Sequence, residues 1–481
     1  MREFFIRNRE ILFPVFLAVF LLQFWGLSPY YDDIHRFSSD TTNLANQGRP
    51  LTEWLYFSYN AFQSNLFPNL YNFNLVTIWF ISVISFFIVT RFSGKDNGDL
   101  VAILFICIFS VPGIVQSLAF HVDNVGMIAS IMLSIMAGSF VKELNARSIS
   151  IQIAALCCAT LFYQLSFNYY ISACAIFIMI KCCDEDVEVR QLLKMCAIKA
   201  IPLAVSILVA LSYKHYFAHD SYFLEHSSFM SVNDIKDGRL NRNINVMEWS
   251  LSLTYNKLQW IIFKTLTVAA IASWLTLQYK FFLKKNYSGS ITLLASPITV
   301  LLMVLLPSLL IYHPVIEQRT LTTISMVLAC LMSLCIKVKY IKKISIFALL
   351  LLSITNTMLA AAFVSTQEYS TERTSALLRD VYYHLPDGVG LKDGSIRISI
   401  PMSKTPRASG EMLNNFSYFP PLRMMVMDYF YSEYQTNALL RYKNIGMEVA
   451  YTKEICSSKP IVSKMMYVIN ECNGITYVQF K

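Results

Sequence analysis

ILFPVFLAVFLLQFWGL, residues 11–27, leads through Ser28-Pro29 into Tyr30-Tyr31-Asp32-Asp33-Ile34-His35-Arg36. A helix needs about 20 apolar residues, each rising 1.5 Å, to cross about 30 Å of hydrocarbon, and this run approaches that length. The heptapeptide then sets two adjacent carboxylates and an arginine at the edge of the run, and Gly48-Arg49-Pro50-Leu51 follows. Arg2, Arg7 and Arg9 precede the run and no small-x-small cleavage site comes after it, so it reads as a retained first helix rather than a removable signal.

The rest of the chain repeats the theme. Of 481 residues, 55% are hydrophobic and only 15% charged, with a mean hydropathy of +0.47. That is too little polar surface for a soluble protein of this size, and the class is an all-α polytopic membrane protein. About eleven segments are apolar enough to span: 10–28, 72–91, 99–118, 123–141, 148–164, 168–182, 193–212, 259–280, 289–311, 321–337 and 343–364.

The formal net charge of +9 sits in alternate connections: Arg91 and Lys95; Lys142 and Arg147; Lys181, Arg190 and Lys194; Lys280, Lys284 and Lys285; and Lys337, Lys339, Lys342 and Lys343. Basic residues placed this way orient a membrane protein rather than bind nucleic acid. The positive-inside rule puts the N-terminus in the cytoplasm and, with an odd number of spans, the C-terminus outside. The expected outer parts are a first loop at 29–71, the turn around His121 and Asp123, a second large loop at 213–258 and the turn 312–319. Residues 1–364 form the membrane domain, and 365–481 a small extracytoplasmic α+β region with a helix at 372–384 and strands at 395–400 and 474–480.

Eleven cysteines are present, nine of them in apolar runs or their basic connections. Cys456 and Cys472 lie together in the polar tail, where an outer location permits a disulfide. No zinc spacing, phosphate-binding glycine loop or repeat is found, and Gly388-Val389-Gly390 lacks the strand-turn-helix context of a nucleotide site.

The polar residues at the helix ends are the candidate site. Asp32 or Asp33 can take a proton from a sugar hydroxyl, given about 3 Å between them. The same pair suits a divalent cation, which prefers hard oxygen ligands, although nothing makes a cofactor certain. The alternative is an interfacial tyrosine belt followed by a solvated acidic loop. Arg36, Arg49 and Arg319 can clamp a phosphate, or can be snorkelling interface residues. Arg319 shares a short turn with His313 and Glu317, and His121 and Asp123 occupy another, each a candidate for substrate contact or for plain loop polarity. Pro50 begins a helix over 51–59 that lies along the membrane. A transporter or flippase of lipid-linked sugars would place ionisable residues at mid-span, whereas this charge is mostly at helix ends. For a non-catalytic assembly protein, the aspartate pair would be dispensable.

The pattern Tyr31-Asp32-Asp33-x-x-Arg36, continued by Gly48-Arg49-Pro50-Leu51 and Trp54, resembles the GtrII-type O-antigen glucosyltransferases. These belong to the GT-C class of multi-span, polyprenyl-phosphate-sugar-dependent enzymes. The resemblance is strongest over residues 28–60 and elsewhere rests on architecture. It implies an inverting transfer of glucose from undecaprenyl phosphate glucose to a sugar of the lipid-linked O-antigen. The transfer takes place at the periplasmic face of the bacterial inner membrane and changes the serotype of the lipopolysaccharide. It also implies a functional link to a glucosyl-lipid synthase and a flippase. The acidic residue of the first loop that activates the acceptor maps to Asp32 or Asp33, and Arg319, Arg49 or Arg36 would steady the departing phosphate.

Overall fold

The structure is a computed structural model that describes residues 2–30, 33–34, 36, 43–59, 70–93, 97–141, 145–386, 396–399, 415–426, 433–452, 454 and 456–480. Tyr31, Asp32, His35, Lys95, Lys142 and the Gly388-Val389-Gly390 stretch lie outside the described residues. The chain divides into two units. The first comprises Met1–Gly26, Thr42–Gln63 and Asn69–Ala361, and the second Leu27–Thr41, Ser64–Pro68 and Ala362–Lys481.

The first unit is helical because apolar residues on every face leave the backbone no partner but itself. Its helices run α1 (Arg2–Leu22), α2 (Pro50–Tyr59), α3 (Leu70–Ser93), α4 (Gly98–Phe109), α5 (Pro112–Ala119), α6 (Asn124–Ser139), α7 (Ala146–Phe162), α8 (Ser166–Asp184) and α9 (Val189–Tyr216). Short helices α10 (Ser221–His226) and α11 (Val232–Lys236) and then α12 (Arg239–Ser252) cross the second loop. They lead to α13 (Lys257–Lys284), α14 (Tyr287–Leu310), a 3-10 turn (Gln318–Thr323), α15 (Ile324–Ile336) and α16 (Lys339–Tyr383), whose residues from Ala362 onward belong to the second unit.

Seven of these segments are long and apolar enough to cross a membrane, and the count reaches eight if the bent pair α4–α5 is one span. The chain is a membrane protein. Three shorter apolar helices, Glu10–Leu22, α6 and α7, complete the set. Seven long helices, or eight with the bent pair, are fewer than the eleven spans expected, and the three shorter apolar helices account for the difference. The expected straight span at 99–118 is broken, with α4 and α5 bent by 64°. Pro112 at the start of α5 cannot donate to the preceding turn. Asn356 of α16 compensates, its Nδ2 donating to the carbonyls of Phe109 at 2.9 Å and Val111 at 3.3 Å. The Ser110 and Ser353 hydroxyls meet beside it at 2.7 Å.

One charge lies deep between helices. Lys199 of α9 is buried, and its Nζ donates to the carbonyls of Ala137 (3.1 Å) and Gly138 (3.2 Å) and to Gln152 Oε1 (2.7 Å). An ammonium has three protons, and these three acceptors use them all. Two of the acceptors are end carbonyls of α6, where the helix dipole favours a cation. Toward the same end, Lys181 Nζ donates to Val141 O, Lys337 pairs with Asp184, and Lys342 with Asp99 at 3.2 Å.

At the opposite end of α6, helix α2 packs so closely that a Cβ on Gly126 would lie 2.2 Å from Thr52 Oγ1 and 3.1 Å from Thr52 Cβ. The threonine cannot swing away without losing its bond to Phe162 O at 2.9 Å. Gly126→Ala is expected to lower stability by about 1–3 kcal/mol through overpacking and to lower activity, because α2 begins one residue after Arg49. Thermal unfolding of the detergent-solubilised protein checks this. Restoration by the added change Thr52→Ala is the expected outcome, and no change in the single variant would refute the contact.

The second unit ends in a five-stranded sheet of order β2-β1-β5-β4-β3, built from β1 (Ile396–Ser399), β2 (Ala450–Thr452), β3 (Val462–Ser463), β4 (Tyr467–Cys472) and β5 (Ile475–Phe480). β1 runs parallel to β2 and β5, while β3, β4 and β5 are antiparallel. Alternation in β1 buries Ile396 and Ile398. Cys456 and Cys472 are bonded to each other. The helix expected at 372–384 is the end of α16, which no glycine or proline interrupts over its 45 residues.

Candidate active site

The heptapeptide after the first helix belongs to the second unit and is anchored there by its own residues. The Ser28 backbone N–H and hydroxyl donate to the two oxygens of Glu368 at 2.5 and 2.9 Å. Tyr30 is buried edge-on against Phe363, with ring centroids 5.7 Å apart, and its hydroxyl donates to Met425 O. The Tyr30 carbonyl accepts the Asp33 N–H at 3.0 Å and so starts a helical turn. That turn places Arg36 three residues on, its Nη1 3.9 Å from Asp33 Oδ1, with the carboxylate fully buried. A tyrosine belt facing a solvated acidic loop does not describe this geometry, since Tyr30 and Asp33 are both interior.

In the first unit one tetrapeptide gathers most of the remaining candidates. Phe120-His121-Val122-Asp123 connects α5 to α6, and its backbone bonds begin α6, with Asn124 N donating to Phe120 O and Met127 N to Asp123 O. Asp123 Oδ2 accepts from Arg49 Nη1 at 2.6 Å, and both side chains are mostly buried. The Arg49 guanidinium also lies 5.1 Å from the centre of the Tyr163 ring. The loop holding Arg49 is closed by three backbone bonds among residues 44–49 and by Glu53, which accepts from Ala45 N. Gly48 turns there with φ of +78°, a conformation that suits glycine.

His121 stacks on Tyr71 at 3.7 Å, and its carbonyl accepts from Asn74 Nδ2 at 2.6 Å. On the other side Arg319 lies over the Phe120 ring at 4.3 Å, with its Nε 2.9 Å from Glu317 Oε2. Gln116 of α5 fixes the arginine's backbone by accepting from Arg319 N at 2.8 Å. The approach is close enough that a Cβ on Gly113 would meet Gln318 O at 2.3 Å. Such a turn presents guanidinium groups held in place by carboxylates and ring faces, suited to bind an anion and release it.

His313 stands apart from Glu317 in its contacts. Its Nε2 is 3.1 Å from Glu225 Oε1 and 3.4 Å from Arg239 Nη1, and Arg239 stacks on Tyr312 at 3.8 Å. The second loop thus clasps residues 311–313, reinforced by Tyr312 N donating to Ser228 O at 2.8 Å. Arg239 also pairs with Asp234 at 3.4 Å, whose carboxyl is held below its usual range chiefly by hydrogen bonds from Ser231.

The structure therefore pairs Asp33 with Arg36, Arg49 with Asp123 and Arg319 with Glu317, and gives His313 partners from the second loop. Gln116, Tyr71, Tyr163 and Glu225 are not among the candidates above, and Arg239 is one polar residue of the second large loop with no role assigned to it. Only Gln116 carried a visible signal, as a lone amide inside an apolar run. Among the described residues no group of three or more metal-ligating side chains occurs, and Asp32 is not among them.

Seven long apolar helices, with charged pairs buried at the connections between helices, mark a membrane protein. The family model for glucosyl transferase GtrII matches residues 21–336, well over half of the chain. The chain belongs to that family: it is a glucosyltransferase, a membrane enzyme that takes a sugar donor and an acceptor. Comparison with curated proteins and with solved structures returns no match.

Proposed function

We propose that the protein moves glucose from undecaprenyl phosphate glucose to a sugar of a lipid-linked O-antigen repeat at the periplasmic face of the inner membrane. In this reading the bent pair and the three shorter helices cross as well, giving eleven spans, with the N-terminus cytoplasmic and the C-terminus periplasmic. Residues 1–364 supply the membrane domain and 365–481 the periplasmic region. An outer site has no access to cytosolic nucleotide sugars, which favours a lipid-linked donor.

One observation carries the mechanism: Asp33 is a wholly buried carboxylate beside Arg36, in a family that transfers glucose. Asp33, or its neighbour Asp32, takes the proton from the acceptor hydroxyl. The hydroxyl oxygen then bonds to the anomeric carbon as the bond from that carbon to the phosphate oxygen breaks. The phosphate departs with the electron pair, and the anomeric centre inverts. Arg319, Arg49 and Arg36 are the candidates to stabilise the leaving charge, and His121, Asp123, His313 and Glu317 to hold or position substrate. A phosphate leaves without a general acid, unlike the alcohol released in glycoside hydrolysis.

The test is reconstitution in nanodiscs with undecaprenyl phosphate glucose and lipid-linked O-antigen, followed by mass analysis of the acceptor. One added hexose per repeat is expected, and no transfer from any polyprenyl-phosphate hexose would reject the reading. A reporter fused after Lys481 should signal from the periplasm, and a cytoplasmic signal would overturn the orientation.

A further inference from the structure

Ser28 and Tyr30 tether the turn that carries Asp33 to one helix, α16. Ser28 gives two donors to Glu368, the backbone N–H at 2.5 Å and the hydroxyl at 2.9 Å, one to each carboxylate oxygen. Tyr30 packs on Phe363 of the same helix, with ring centroids 5.7 Å apart. We propose that Glu368 is a positioning residue for glucosyl transfer. It fixes Ser28, and through Ser28 the place from which Asp33 takes the acceptor proton. This assignment rests on the base proposed above. All of these residues lie in the second unit.

The lengths agree. From Phe363 to Glu368 the helix rises about 7.5 Å, and the chain from Ser28 to Tyr30 reaches about 7 Å when extended. Both tethers are therefore made without stretching the segment. Pro29 lies between them, buried, with its φ fixed by its ring, so a shift at Ser28 passes to Tyr30 with little slack. The Tyr30 carbonyl then accepts the Asp33 N–H at 3.0 Å. The Tyr30 hydroxyl donates to Met425 O, and the segment leading to Met425 is itself tied to α16, Asn415 Nδ2 donating to Thr366 Oγ1 at 2.9 Å. Hydrogen bonds to an ionised acceptor are roughly twice as strong as those between neutral groups, so Glu368 is the firmer of the two tethers. A reacting group must be held within about 0.5 Å of its working place by such supports. The polar region after the last apolar stretch thus takes part in the reaction by building the seat of its base.

Glu368→Ala removes both acceptors of Ser28. With undecaprenyl phosphate glucose and lipid-linked O-antigen, kcat at equal folded protein is expected to fall about tenfold, since a misplacement of 1 Å can cost up to about 10²-fold. The donor KM should stay within twofold, because only the step in which the base acts is weakened. Glu372→Ala, one turn along α16, breaks the bond to Lys443 at 2.7 Å and should leave kcat within twofold of wild type. The deciding measurement is a double-mutant cycle. In an Asp33→Asn background Glu368→Ala should change the residual kcat less than twofold, since no base is left to misplace. A tenfold loss in that background as well, or a kcat within twofold of wild type for Glu368→Ala alone, overturns the role. Should Glu368→Ala fail to fold, Ser28→Ala, which keeps the backbone donor, takes its place. A fall in kcat of about threefold that vanishes in the Asp33→Asn background is then expected, and an unchanged kcat overturns the role. Full activity in Asp33→Asn removes the base assignment and this proposal with it, whereas loss of activity there with Glu368→Ala unimpaired removes this proposal alone.

Discussion

Asp33→Asn is expected to lower kcat for glucosyl transfer by about 10²–10⁴-fold, the usual contribution of a positioned general base. Asparagine keeps the volume of a fully buried side chain but cannot take a proton. The donor KM should change little, because the lost interaction develops as the acceptor hydroxyl is deprotonated. Stability needs its own measurement. Arg36 lies 3.9 Å from this carboxylate and is itself buried, so neutralising the partner leaves a charge less compensated. Breaking a buried pair typically costs about 3–5 kcal/mol, and the activity must be compared at equal folded protein. The parallel variant Asp32→Asn tells the two carboxylates apart. Full activity in both single variants and in the double variant would remove the base assignment.

The second large effect is expected at Arg319. Arg319→Ala should lower kcat/KM by about 10²–10³-fold if its guanidinium stabilises the departing phosphate, the loss seen when one donor to a developing charge is removed. Lysine should not rescue it. The arginine is held by its flat face on Phe120 and by Nε beside Glu317, and a compact ammonium reproduces neither contact. Gln116 gives a graded control, since it accepts from the backbone N–H of Arg319. Gln116→Leu should therefore cost less than the loss of the guanidinium. Steady-state kinetics on reconstituted protein measures all three, and kcat/KM within threefold of wild type for Arg319→Ala would exclude the role.

The apolar segments were legible because bilayer crossing leaves a coarse signal of length and hydropathy. The break between α4 and α5 was not. Pro112 marks the place, but a proline in a span is tolerated when something else satisfies the backbone. That something is Asn356, 247 residues from Phe109 in sequence. Asp33, Arg36, Arg49, Asp123, Arg319 and Glu317 were all visible as polar residues at apolar ends. Their pairing was partly visible: Asp33 with Arg36 and Glu317 with Arg319 are near neighbours in sequence. Arg49 with Asp123 is a tertiary contact, and no local spacing announces it. The diversion of His313 to Glu225 and Arg239 was hidden for the same reason. The separate helix expected over 372–384 follows the change in polarity there, whereas backbone continuity depends on breakers, and α16 has no glycine or proline.

Lys199 bears on how the chain enters the membrane. Every acceptor of its ammonium comes earlier in the sequence: Ala137 and Gly138 at the end of α6 and Gln152 in α7. A lone lysine at the centre of an inserting helix costs about 2.5–3.5 kcal/mol on translocon scales. During synthesis α6 and α7 emerge first, so α9 reaches the bilayer with its partners already there. Reversing that order, as a circular permutant beginning between α8 and α9 would, brings the cation into the bilayer before its acceptors are there. The position of one buried charge in the sequence thus makes the order of synthesis part of the folding pathway.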